Sequence, residues 1–174
     1  VVTNVPYLGR HKQSPYIKEH CNAAYGLSKG NLATVLLERS LSLCKDSCTP
    51  ALVTPQAWLL QGAYEDLRVD ILARRGLRCV CRLGPKSFET ITGEVVNVAL
   101  VIIDQKYCDA NRFALLDATS MPDVTAKAEY ICSGPIEYLE QDDQNNNPDS
   151  VIGFSPDKSI PLLNKYAAAY QGLC

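Results

Sequence analysis

The sequence predicts a doubly wound α/β sheet, mostly parallel, with an antiparallel hairpin at one edge. Three observations carry that expectation. Short apolar runs of strand length alternate with stretches of helical spacing over the first hundred or so residues. Strands separated by helices pair in parallel and need cover on both faces. The last two strand-like runs of this stretch follow one another with no helix between them, so they pair antiparallel.

Taken in order, residues 1–4 form the end of a buried strand and 26–30 a loop. Leu32, Val35, Leu36 and Leu43 then recur on one face, with Glu38 and Arg39 turned outward. That spacing predicts a helix of about four turns. A short strand over 51–54 ends at Pro55, whose fixed φ suits a first helical turn. Leu60, Tyr64, Leu67 and Ile71 follow at four-, three- and four-residue intervals, predicting a second helix that ends at Gly76. Residues 77–83 have the pattern of a strand, 84–93 of a loop, and 95–103 of a β-branched strand ending at Asp104. Beyond Gln105 the periodicity weakens. The stretch 142–149 is polar and Asn-rich with Pro148 near its end, which predicts a surface loop or linker with little to bury. Residues 159–171 have the spacing of a short helix, packed on the domain or leading away from it.

The 174 residues are 47% hydrophobic and 21% charged, enough to bury one substantial core as one domain. No apolar run approaches the roughly 18 residues of a membrane span, and no basic-then-apolar leader opens the chain. A cytoplasmic location with no membrane partner is expected. The chain opens on Val1-Val2 inside a strand-like run, which points to an excised piece of a longer protein. Eight cysteines are scattered through apolar stretches of a chain too long to need staples, so reduced thiols are expected. Cys79 and Cys81 share a strand face and Cys44 and Cys48 bracket a helix end, yet neither pair has a second pair at zinc spacing; no metal is expected. A net charge of −2 argues against a self-sufficient nucleic-acid binder, because phosphate neutralisation supplies much of such affinity.

The strongest local signal is Asn4-Val5-Pro6-Tyr7, directly after a strand. In open α/β sheets ligands bind beyond the carboxyl ends of strands. Pro6 fixes its own φ and holds Val5 extended, turning the Val5 carbonyl away from ladder pairing. Asn4 offers a side-chain carbonyl beside it and Tyr7 a flat aromatic face. Two acceptors and a stacking plate suit a planar ring bearing an exocyclic amine. The same residues also suit a plain strand end with a proline turn and a packed tyrosine.

Asn4-Val5-Pro6-Tyr7 resembles the Asn-Pro-Pro-Tyr motif of amino-methyltransferases, and three further blocks follow in family order. Residues 29–39 (Lys-Gly-Asn-Leu-Ala-Thr-Val-Leu-Leu-Glu-Arg) are similar to the family's next helix, and 51–59 (Ala-Leu-Val-Thr-Pro-Gln-Ala-Trp-Leu) to its following strand and turn. Residues 84–96, with Phe88, are similar to the loop and strand that close the target-base pocket. The family is that of adenine-specific DNA methyltransferases of restriction-modification and BREX-type phage-defence systems. The resemblance implies a partial Rossmann-like class I methyltransferase sheet, with 1–104 the C-terminal half of the catalytic domain. It makes 105–174 an extension toward a target-recognition domain. It implies S-adenosyl-L-methionine as methyl donor and double-stranded DNA as partner, engaged together with the remainder of a parent chain.

The resemblance also assigns roles. Asn4 and the Val5 carbonyl would accept hydrogen bonds from the N6 amine of a flipped adenine, and Tyr7 and Phe88 would stack on its two faces. Phe88 alone reads equally as core packing. Valine replaces the family's more usual proline at position 5, which keeps the carbonyl but gives up rigidity. The Gly-rich loop that cradles the cofactor in the family has no counterpart, and Gly26 to Gly30 does not replace it because it follows no strand. Only one wall of a cofactor site is expected, with Asn31 and Leu32 near its adenine end, and little activity from the chain alone. Arg10, His11, Lys12 and Lys18 form a basic cluster beside the motif, able to meet DNA phosphates or to remain a solvated loop. The same motif serves methyltransferases of RNA bases and of a glutamine amide, and a non-catalytic interaction module is the alternative of a different class.

Overall fold

A computed structural model describes residues 1–45, 48–88, 96–107, 111–153 and 166–167. Its centre is one six-stranded sheet built from β1 (Val2–Asn4), β2 (Ala51–Pro55), β3 (Gly76–Gly84), β4 (Val98–Asp104), β5 (Arg112–Asp117) and β6 (Glu137–Glu140). The strand order is β1-β2-β4-β3-β5-β6. β1 and β2 are parallel, as are β3 and β5, while β4 and β6 run against their neighbours. Four of the six strands therefore share one direction, as the alternation of strands and helices predicts. The β3–β4 hairpin forms antiparallel and closes one edge of the first four strands; β5 and β6 then continue the sheet past β3.

Five helices of the described residues flank the first five strands or lie between them: α1 (Pro15–Ala24), α2 (Leu32–Leu43), α3 (Ala57–Leu60), α4 (Glu65–Arg74) and α5 (Val124–Ser133). A sixth, the single turn α6 (Gln141–Gln144), directly follows β6. α1 left no apolar stripe in the sequence because only Cys21 of its ten residues is buried. Its start is nonetheless written locally: the Ser14 side chain caps the Ile17 N–H and Pro15 takes the first helical position. α2 buries Ala33, Thr34, Val35, Leu37 and Leu41, so its core face is rotated from the one that leucine spacing predicts, and Leu43 is 64% exposed. A small alanine lets α2 approach the sheet where a leucine would hold it off.

The single helix expected from Pro55 to Gly76 is a correction. The chain helps itself out of helix at Gln61, whose ψ is 139°, passes through a 3-10 turn at Gly62–Tyr64, and restarts as α4. The break leaves carbonyls without intrahelical partners, and Arg68, fully buried, meets them. Its Nη1 donates to two carbonyls, those of Trp58 at 2.8 Å and Gln61 at 2.7 Å. Gly76 ends no helix; it opens β3.

The polar stretch 142–149 is a second correction. It lies at the surface as expected, but not as a free linker: α6 and the 3-10 turn Pro148–Ser150 pack it against α4, with Gln144 and Asn147 buried and most of its other residues exposed. Several side-chain hydrogen bonds hold this stretch and the residue before it, which composition alone does not reveal. Gln141 donates to the carbonyls of Leu72 (2.9 Å) and Arg75 (2.7 Å) and accepts from Leu77 N–H (2.8 Å). The Arg68 guanidinium reaches the Asp149 carbonyl at 2.6 Å. The start of the expected strand at Val95 and nearly all of the expected helix 159–171 lie outside the described residues. No helix among the described residues is long and apolar enough to cross a membrane.

Candidate functional site

β1 and β2 leave the sheet side by side. Their register pairs Asn4 with Val53, so Val5 to Tyr7 and Thr54 to Gln56 emerge together at the carboxyl ends of two parallel strands. The antiparallel β4 begins at the same end, behind Val96 and Asn97. A cleft of about 1050 Å³ opens there, between these strand ends, the loop at 9–12 and the start of α2. Tyr7, Gln56, Tyr64 and Asn97 contribute to its wall, as do Arg10, His11, Lys12 and Lys18. The placement follows the rule for open α/β sheets.

The motif residues divide by exposure. Val5 is buried and tied into the core, whereas Asn4 and Pro6 are exposed. Asn4 is thus not walled into apolar packing. Tyr7 packs against both apolar clusters of the molecule while lining the cleft. Its hydroxyl is sheltered without a hydrogen-bond partner, and burial pushes the phenol up to about 12. It therefore stays a neutral aromatic plate across the physiological range. Phe88 packs on the cluster of Cys81, Leu83, Val98, Leu116 and Ala118, which Tyr7 also touches; the described cleft wall does not include it. The chain from 89 to 95 lies outside the described residues.

The loop after the motif is fastened to the start of α2. Leu32 N–H donates to the Leu8 carbonyl and Arg10 N–H to the Gly30 carbonyl, both at 3.0 Å. Asn31 caps α2: its side-chain oxygen accepts from Ala33 N–H at 2.9 Å and from Leu8 N–H at 3.2 Å. That oxygen is committed to the backbone, so only the remainder of Asn31 faces the cleft. Leu32 points elsewhere, into a separate pocket of about 230 Å³ between α1 and α2. The two residues expected to share a cofactor site thus part company at the helix start. Gly30 is needed for the Tyr64 ring to close on this loop, since a Cβ there would stand 3.0 Å from it.

The four basic residues that cluster in the sequence beside the motif all line one cleft, carried by the 3-10 turn Arg10–Lys12 and the first turn of α1. Arg10 is held by Asn22, whose side-chain oxygen accepts from Nη2 at 2.9 Å, while its Nη1 is sheltered without a partner. No aspartate or glutamate is among the described lining residues. Gln56 was legible only as part of a block; the structure shows it 5% exposed yet on the cleft wall. Elsewhere, Cys79 and Cys81 have thiols pushed up by burial, Cys81 to about 11, and no group of three potential ligands occurs among the described residues.

The open α/β sheet, with its cleft beyond β1 and β2, is Rossmann-like, and solved restriction-modification proteins share this fold. The chain is similar to a nuclease-deletion mutant of the Type ISP restriction-modification enzyme LlaGI in complex with a DNA substrate mimic (TM-score 0.64, 12% identity, 91% of this chain and 18% of that one). It is likewise similar to a type I restriction-modification methyltransferase subunit from Streptococcus thermophilus (TM-score 0.60, 16% identity, 86% of this chain and 36% of that one). In sequence it is related to adenine-specific methyltransferase BrxX of Escherichia coli O9:H4 (strain HS), with 30% identity over 107 residues, 62% of this chain and 9% of that protein. The adenine-specific methyltransferase PglX of Lacticaseibacillus casei (strain Zhang) is 29% identical over 105 residues, 60% of this chain and 9% of the relative. The chain thus spans about 9% of the length of these curated relatives. No protein-family model matches it.

Proposed function

We propose that this chain forms the target-base side of an enzyme that methylates the N6 amine of adenine in DNA. The observation that carries the reading is Asn4-Val5-Pro6-Tyr7 leaving a strand end with Asn4 exposed and Tyr7, alone of the four, on the wall of a large cleft. The names of the two sequence relatives support the choice of adenine. An amine inside a duplex is out of reach, so the base must be extruded. The Asn4 side-chain oxygen and the Val5 carbonyl then accept its two N–H groups. Two acceptors favour a pyramidal nitrogen and stabilise the positive charge it develops. Tyr7 supplies one stacking face, contributing about 1 to 3 kcal/mol on the scale of base–aromatic stacking; for Phe88 as the other face the support is the resemblance alone, since the described cleft wall does not include it. Arg10 and Lys12 meet the phosphates beside the extruded nucleotide.

S-adenosylmethionine supplies an electrophilic methyl group in enzymes of this class. The described cleft wall does not fit it: four basic side chains and no carboxylate face a space that would have to take a sulfonium and a ribose diol, and the Asn31 oxygen is spent on backbone. This wall suits a polyanion carrying a planar base.

The test is methyl transfer to duplex DNA by the full-length protein that carries this chain. Asn4→Ala is expected to lower turnover by roughly 100-fold or more, the scale of losing one oriented polar partner of a reacting centre, with DNA affinity retained. Equal turnover by wild type and Asn4→Ala overturns the assignment.

A further inference from the structure

We propose that Gln56 reads the extruded base, donating a carboxamide N–H to one of the two ring nitrogens that flank the adenine amine. This rests on the base-site reading above and adds to it the group that recognises the ring. Asn4 pairs with Val53 at the end of the parallel β1–β2 ladder, and Tyr7 and Gln56, each three residues further along its own strand, both line the cleft beyond it. A glutamine 5% exposed at the wall of a large cleft is a costly placement unless its polar atoms are used.

Three of those atoms have partners. The Gln56 N–H donates to the Asn97 carbonyl at 2.7 Å and its own carbonyl accepts from Leu59 N–H at 3.0 Å. The carboxamide is satisfied when it is turned with its oxygen toward the Arg82 guanidinium, where it accepts from Nε at 3.0 Å and Nη2 at 3.3 Å and its NH₂ faces the acceptor side. Arg82 is in turn fixed by an ion pair, Nη1 to Asp117 Oδ2 at 3.2 Å, and the other Asp117 oxygen accepts from Thr119 N–H and Oγ. A guanidinium has only donors, so the amide cannot turn over, and its NH₂ is directed away from Arg82. Arg82 and Asp117 are positioning residues; Gln56 is the one that touches the base.

To the two acceptors of the base-site reading, Asn4 Oδ1 and Val5 O, Gln56 would add one donor. Adenine matches this pattern, because its amine has N1 on one side, along the Watson–Crick edge, and N7 on the other, along the major-groove edge, both bare acceptors. Guanine opposes it, with an oxygen where the amine would be. N3 lies too far from the amine to share the same contacts.

The experiment uses the full-length protein and duplex DNA in which the target adenine is replaced by its 1-deaza, 7-deaza or 3-deaza analogue. Wild type is expected to lose roughly tenfold in kcat/KM on either the 1-deaza or the 7-deaza substrate, the scale of one hydrogen bond in a dry site, and little on 3-deaza. Gln56→Ala and Gln56→Glu are expected to lose a similar factor on adenine and nothing further on the sensitive analogue. Gln56→Glu is the same size and keeps an acceptor for Arg82 but has no donor, so it separates reading from folding. Arg82→Met is expected to weaken the same discrimination, through a frame that no longer fixes the amide. Variants that retain the wild-type response to all three analogues, or a wild type indifferent to both N1 and N7, overturn the proposal. Asn4→Ala on the same DNA keeps the two readings apart: if it is inactive while the Gln56 variants behave as wild type, Gln56 alone is wrong.

Discussion

The Tyr7 phenol titrates at about 12 rather than 10 because burial disfavours the phenolate. A folded-state value above the unfolded one contributes stability that is fully present below pH 10 and is lost as pH rises through about 12. Cys81, pushed up to about 11, and Tyr64, also raised by burial, act in the same alkaline window. The denaturation midpoint is therefore expected to fall between pH 9 and 12, and Tyr7→Phe to flatten part of that fall. At neutral pH the same variant is expected to stay within about 1 kcal/mol of wild type, since it deletes a sheltered hydroxyl that has no partner. A midpoint profile unchanged by Tyr7→Phe sinks this account. Residues of this kind were legible because they are contiguous: Asn4, Val5, Pro6 and Tyr7 announce themselves as one string. Gln56 was not, because its meaning lies in Arg82, twenty-six positions on.

Among elements, the informative case is the break between α3 and α4. Leu60, Tyr64, Leu67 and Ile71 keep helical spacing straight across it, and periodicity alone cannot see an interruption that preserves phase. Gly62 lowers the cost of leaving the helix, and Arg68 supplies the donors that the freed carbonyls require. The same guanidinium takes the Asp149 and Ser150 carbonyls, so one side chain fastens α4 to the segment after α6. Arg68→Met is expected to cost about 3 kcal/mol or more, because several sheltered acceptors lose their partner at once. Urea denaturation measures it, and a change below 1 kcal/mol contradicts the role. Amide exchange is expected to rise first in 144–153, the part that Arg68 holds.

For the whole molecule, electrostatics sets how this chain meets a polyanion. Its net charge of −2 repels DNA at long range, while Arg10, His11, Lys12 and Lys18 concentrate positive charge on one cleft. Arg10 is expected to be a phosphate contact and not a reader of sequence. Arg10→Ala should then weaken DNA binding uniformly across sequences and reduce the slope of log affinity against log salt by about 0.9, while an unchanged slope removes Arg10 from the interface. Binding at several salt concentrations by the full-length protein provides the measurement.

The sequence by itself determined the sheet's first four strands, the antiparallel closure at β3–β4 and the position of the motif at a strand end. These follow from local periodicity and from Pro6, which act over a few residues. Tertiary structure alone decided that β5 and β6 join the same sheet, that Asn31 and Leu32 face different cavities, and that 142–149 is packed. Each depends on hydrogen bonds between positions far apart in the chain, such as Gln141 with Leu77 or Arg68 with Asp149, and a polar residue carries no local sign of the distant carbonyl it will satisfy.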